Sequence, residues 1–69
     1  MGLNNRLREA RAKAGLTQAA LAEAAGVSRK TINTVENGVF VPSTLLALTL
    51  AKVLGTSVDE LFWIDDNDN

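Results

Sequence analysis

The stretch Gly15-Leu-Thr-Gln-Ala-Ala-Leu-Ala-Glu-Ala-Ala-Gly-Val-Ser-Arg-Lys-Thr-Ile-Asn-Thr-Val-Glu-Asn-Gly38 decides the fold. It reads as two short helices joined by a tight turn, each carrying its own start and stop signals. Thr17 caps a helix beginning at Gln18, because its hydroxyl accepts a backbone N–H that the first turn leaves unpaired. Leu16 before that cap and Leu21 after it form a hydrophobic staple. The same grammar repeats at once, with Ser28 as the cap and Val27 and Ile32 as the staple pair. Gly26 and Gly38 stand where the chain must leave each helix at positive φ. Two capped helices this close leave room only for a fixed turn. The second opens Ser-Arg-Lys-Thr, which suits insertion of side chains into a groove.

Outward from that pair, Gly15, Gly26, Gly38 and Gly55 each follow an apolar-periodic segment and read as helix stops. They divide the chain into five helices, with no β-type alternation and a single proline, Pro42. The expected fold is therefore all-α and compact. A first helix is expected over about residues 4–14, with Leu3, Leu7, Ala10 and Ala14 on one face. The second and third span roughly Gln18–Ala25 and Arg29–Glu36. Ser43 caps a fourth over Thr44–Leu54, whose inward stripe is Leu46, Ala47, Leu50, Ala51 and Leu54. Ser57-Val-Asp-Glu60 has the S-x-x-E form of a capping box and opens a short fifth helix through Leu61 and Phe62. Residues 1–64 thus form one domain, and the acidic residues 65–69, with nothing to bury, read as a disordered tail.

At 69 residues the chain is near the lower limit for a self-sufficient core. Without Cys there is neither a disulfide framework nor a thiolate metal site. Without His, the usual zinc ligands reduce to carboxylates and the commonest general base is missing. There is no glycine-rich phosphate loop, and the carboxylates are dispersed, so an enzyme is the least favoured class. No cofactor, metal or small-molecule ligand is expected. No apolar run is long enough to span a bilayer, and the start lacks the apolar core of a secretion signal. No membrane partner is implied, and a cytoplasmic, nucleoid-associated protein is the expectation.

The net charge of −1 argues mildly against a polyanion partner, but its distribution argues for one. Residues 1–38 hold six basic side chains against Glu9, Glu23 and Glu36, leaving +3. Residues 39–69 hold Lys52 against five acidic side chains, leaving −4. A basic half carrying the paired helices attracts a polyanion on one side. Within the third helix, Ile32 and Val35 face the core, while Lys30 and Thr34, four apart, point the other way. Arg29 lies in the first turn, where a helix entering the major groove of double-stranded DNA brings its side chain to base edges. Arginine matches guanine O6 and N7 in a bidentate way that lysine only approximates. Thr34 suits a thymine methyl or a base acceptor. The N-termini of helices two and three present free N–H groups to phosphate, with Gln18 beside them.

The run G-L-T-Q-x-x-L-A-x-x-x-G-V-S-R-x-T-I-x-x-x-E-N-G, followed by F-x-P-S and L-A-x-x-L-G-x-S-V-D-E-L-F, resembles the Cro/phage-repressor (Xre-type, lambda-repressor-like) helix-turn-helix family. The resemblance covers about residues 3–63. It implies that Arg29, Lys30 and Thr34 face bases, that Gln18 contacts the backbone and a base, and that Thr17, Ser28, Thr31 and Asn37 lie near phosphates. It also pairs Arg11 of the first helix with Glu36 at the end of the third. Such domains usually read paired half-sites, so a homodimer is expected.

Two features depart from the family pattern. Many relatives carry Lys or Arg just after the Asn-Gly, where this chain has Val39-Phe40-Val41, which removes a phosphate contact. Leu45 and Leu48 fall outside the inward stripe of the fourth helix and, with Trp63 and Ile64, form either a dimer interface or, for Leu48 and Trp63, cover for a small core. The leading function is a sequence-specific, repressor-like regulator on a pseudo-palindromic operator. The alternatives are a DNA-binding antitoxin or controller subunit of a larger assembly, and a protein-interaction module without DNA binding. Arg29 and Lys30 at groove-facing positions argue against the last.

Overall fold

In the computed structural model, which describes residues 2–65, hydroxyls open three of the helices. Thr17 Oγ1 accepts the N–H of Ala20 at 3.0 Å and starts α2 (Gln18–Ala25). Ser28 Oγ accepts that of Thr31 at 3.1 Å and starts α3 (Arg29–Glu36). Ser43 Oγ accepts that of Leu46 at 3.1 Å and starts α4 (Thr44–Leu54). Before them comes α1 (Leu7–Lys13), and after them a single turn, α5 (Val58–Leu61). Five helices is the expected number.

The helix stops follow one plan. Gly26 has φ +75°, a left-handed conformation that side-chain-bearing residues avoid, and the N–H of Val27 reaches back to the carbonyl of Ala22 at 3.0 Å. Equivalent six-residue closures end α1, α3 and α4, from Leu16 to Arg11, Val39 to Thr34 and Thr56 to Ala51. The turn between α2 and α3 is therefore held by the backbone closure at the end of α2 and by the Ser28 side-chain cap at the start of α3.

The chain ends depart from expectation. Residues Gly2–Asn5 form a strand, β1, antiparallel to β2 (Phe62–Asp65), with Leu3 opposite Ile64 and Asn4 opposite Trp63. Helix α1 consequently begins at Leu7 rather than near residue 4. Asn4 and Asn5 are weak helix formers, while Phe62-Trp-Ile offers aromatic and β-branched side chains suited to a strand. The N–H of Arg6 continues the pairing to the carbonyl of Leu61 at 2.9 Å. Asp65, expected in the tail, is the last residue of β2; residues 66–69 lie outside the described residues. The capping box at Ser57 also differs. Ser57 makes no side-chain cap bond, and the Glu60 carboxylate instead accepts from Thr56 Oγ1 at 2.9 Å and Ser57 Oγ at 3.5 Å.

One core joins all the helices. It is built from Leu7, Leu21, Ala22, Ile32, Val35, Leu46, Ala47, Leu50, Ala51, Leu61 and Phe62. Four of the five residues of the expected α4 stripe are fully inside, and Leu54 packs at its edge. At about 1.5–3 kcal/mol per large apolar side chain, this core holds α2 and α3 in a set relation. Among the described residues no helix is long and apolar enough to cross a membrane.

Candidate nucleic-acid interface

Burial of Ile32 and Val35 orients α3 so that Arg29, Lys30 and Asn33 project into solvent and Thr34 is half-covered. Among the described residues neither Arg29 nor Lys30 makes a hydrogen bond or ion pair, so both cations are available to an outside acceptor. The backbone N–H groups of Gln18, Ala19, Arg29 and Lys30 likewise have no acceptor among the described residues. The open donors of α3 thus lie beside the two exposed cations, while those of α2 begin at Gln18, whose side chain meets Glu36 at the other end of α3. Donors at both ends of α3 suit a phosphate-rich ligand.

The hydroxyls around this face are partly committed. Ser28 Oγ and Thr31 Oγ1 lie 2.9 Å apart. Thr34 Oγ1 donates to the carbonyl of Thr31 at 2.9 Å, which leaves its methyl group and lone pairs for a base. Asn37 Oδ1 accepts from Arg8 Nη2 at 2.8 Å, and its Nδ2 donates to Asn33 Oδ1 at 3.3 Å. Its amide is tied to protein, leaving one N–H for a phosphate.

Behind α3 lies an ionic hub. The Glu36 side chain has 0% exposure and accepts from Arg11 Nε at 2.6 Å, Arg11 Nη2 at 3.3 Å, Gln18 Nε2 at 3.0 Å and Arg8 Nε at 3.4 Å. Arg11 also donates through Nη1 to the carbonyl of Leu16 at 2.9 Å, so one guanidinium grips α3 and the entry to α2 together. Burial pushes the Glu36 carboxyl upward. The hydrogen bonds from Arg11 and Gln18, the charge of Arg11 and the bond from Arg8 outweigh it and hold the carboxyl below its ordinary range. The bond to Glu36 raises Arg11 in turn, against its own desolvation. Gln18 therefore serves the scaffold with one N–H, and its other N–H has no acceptor among the described residues.

The sequence matches the helix-turn-helix family over residues 7–61. The chain belongs to the Cro/phage-repressor type of that family. It is 38% identical to the uncharacterized HTH-type transcriptional regulator YgzD of Bacillus subtilis, over 93% of this chain and 97% of the relative. Among solved structures it is similar to the restriction-modification controller protein C.AhdI of Aeromonas hydrophila, at 38% identity and a TM-score of 0.76, covering 80% of this chain and 83% of that one. It is also similar to the clp gene regulator ClgR of Corynebacterium glutamicum, at 37% identity and a TM-score of 0.74, over 78% of this chain but 57% of ClgR. The family is one of DNA-binding transcriptional regulators, not of enzymes.

In this helix-turn-helix protein the four apolar residues grouped from sequence do not share one surface. Consecutive strand residues point to opposite faces, so Trp63 and Ile64 diverge. Trp63, 37% exposed, lies with Asn4 on one face, its ring 4.7 Å beneath the Arg6 guanidinium. Ile64, 57% exposed, lies with Leu3 on the other. Leu3 in turn shares an apolar groove with Leu48, Pro42, Ala47 and Phe62. Leu45, 76% exposed, borders a different groove with Phe40 and Val27. Sequence reasoning also missed Asn5 and Arg8, which both reach the end of α3. An asparagine two residues before the first helical residue is a capping signal that would have flagged Asn5.

Proposed function

We propose that this protein is a sequence-specific, repressor-like regulator that reads the major groove of a pseudo-palindromic operator as a homodimer, from the cytoplasm. The observation that carries the reading is that Arg29 and Lys30, exposed and without a partner among the described residues, stand at the N-terminus of a helix whose other end is locked by the Glu36 hub. Arg29 takes guanine O6 and N7, while Lys30, Thr34 and the free N–H of Gln18 complete the base-facing set. Thr17, Ser28, Thr31, Asn37 and the open N–H groups of α2 and α3 take phosphates.

Selection of oligonucleotides from a random pool tests the reading and yields the operator. Arg29→Ala should then cost about 1–3 kcal/mol on the selected site and relax the preference at one base. Gln18→Ala should weaken binding more evenly. Equal losses on selected and random DNA for Arg29→Ala would show that it holds phosphate rather than a base. A second reading, a controller subunit, draws on the likeness to C.AhdI over 83% of that chain. It requires selected sites next to genes of a larger assembly.

A further inference from the structure

One carboxamide joins three elements of the fold. Asn5 lies in β1, its backbone opposite Phe62. Its Oδ1 accepts the N–H of Leu7, the first residue of α1, at 3.0 Å. Its Nδ2 donates to the carbonyl of Val35, in the last turn of α3, at 3.0 Å across thirty positions of sequence. Both partners belong to fully buried residues. The N–H of Leu7 can only donate and the carbonyl of Val35 can only accept, so the amide has one orientation. Only a side chain with an acceptor and a donor side by side satisfies both.

Arg8 and Arg11 also reach the last turn of α3, but they grip the Glu36 and Asn37 side chains, which can turn about their own bonds. Asn5 grips the main chain. From Val35 back to Arg29 the helix rises ~9 Å, so a shift of ~1 Å at the gripped end tilts it by several degrees and displaces the Arg29 guanidinium from a base edge.

We infer that Asn5 is a positioning residue for the recognition helix, setting through the Val35 carbonyl the angle at which α3 presents Arg29 and Lys30. The pairing of β1 with β2 thereby becomes part of the DNA-reading apparatus. This rests on the reading that α3 enters the groove.

Asn5→Asp separates the two bonds, because a carboxylate still accepts from Leu7 but cannot donate to Val35. The full chain carrying it is compared with the wild type by amide NMR, and by binding to the site the wild type selects, well below the melting temperature. A Val53→Ala variant at the core edge, compared at matched loss of stability, serves as control. The amide resonances of Glu36, Asn37 and Gly38 should move while that of Leu7 stays nearly in place. Affinity for the selected site should fall roughly tenfold, the size of one misaligned base contact, with random DNA and Val53→Ala changed far less. Unmoved resonances at the end of α3 would overturn the coupling. Wild-type affinity for the selected site in Asn5→Asp, or a loss equal to that of Val53→Ala, would overturn the positioning role while leaving the DNA reading intact. A wild type that selects no sequence would instead sink that reading, and this role in recognition with it.

Discussion

A carboxylate with no exposed surface is costly unless donors surround it, and at Glu36 four N–H contacts from Arg8, Arg11 and Gln18 meet that need. Arg11→Ala leaves the buried charge with weaker partners and should destabilise the fold by about 3 kcal/mol, read by chemical denaturation. Glu36→Ala strands a mostly buried guanidinium. The double variant should lose less than the sum of the two, and strict additivity would mean that the hub does not act as a unit. The hub also has a pH signature, since the Glu36 carboxyl is held below its ordinary value when folded. Its contribution is complete above about pH 4.3, where the unfolded chain is also ionised. Below that the unfolded chain takes up a proton that the folded one resists, so stability falls until the pH drops past the folded value. Glu36→Gln should be less stable at neutral pH and show a shallower acid limb. Parallel acid limbs for the two proteins would remove Glu36 from the acid response.

At the scale of elements, what was legible in the sequence was local. Caps at Thr17, Ser28 and Ser43 and the glycine stops act within a turn of helix, so α2, α3 and α4 could be placed from residue types alone, whereas the start of α1 could not. The ribbon could not, because each strand is too short to show alternation and its pairing joins the two ends of the chain. The same limit applied to the site. Periodicity put Lys30 and Thr34 on the outer face of α3, but nothing local shows that Asn5 reaches Val35, or that Trp63 and Ile64 part company in a strand. The Arg11–Glu36 pairing came from the family pattern and not from spacing. One local device can be tested directly. A Cβ at Gly26 would meet nothing within 4 Å, so Gly26→Ala isolates the backbone strain of φ +75°. It should cost about 1–2 kcal/mol of stability, measured by denaturant midpoint, with no loss of helix content once folded. A neutral result would mean that the turn between α2 and α3 relaxes, and that its geometry is not held by this residue.

For the homodimer proposed above, the constraint at the scale of the whole molecule is the duplex. Two recognition helices on one face of DNA sit about 34 Å apart, one helical turn. A protomer this small reaches that spacing only if the contact between copies lies away from Arg29. Of the exposed apolar residues, Leu45 and Phe40 border the groove beside the turn between α2 and α3. Trp63 lies on the ribbon face beneath Arg6. Val39 and Val41 stand in the segment that leaves the end of α3. That leaves Leu3, Leu48 and Ile64, joined by strand pairing and a shared groove on the far side of α4. A weak two-fold dimer through that surface should therefore be separable from Trp63. Leu48→Ser with Ile64→Ser should shift the free protein towards monomer in sedimentation at several concentrations, and should steepen the concentration dependence of DNA binding while helix content is kept. Trp63→Ala should leave association unchanged. Association lost in Trp63→Ala but kept in the double variant would place the contact on the opposite face of the ribbon, and the half-site spacing would have to be met from there.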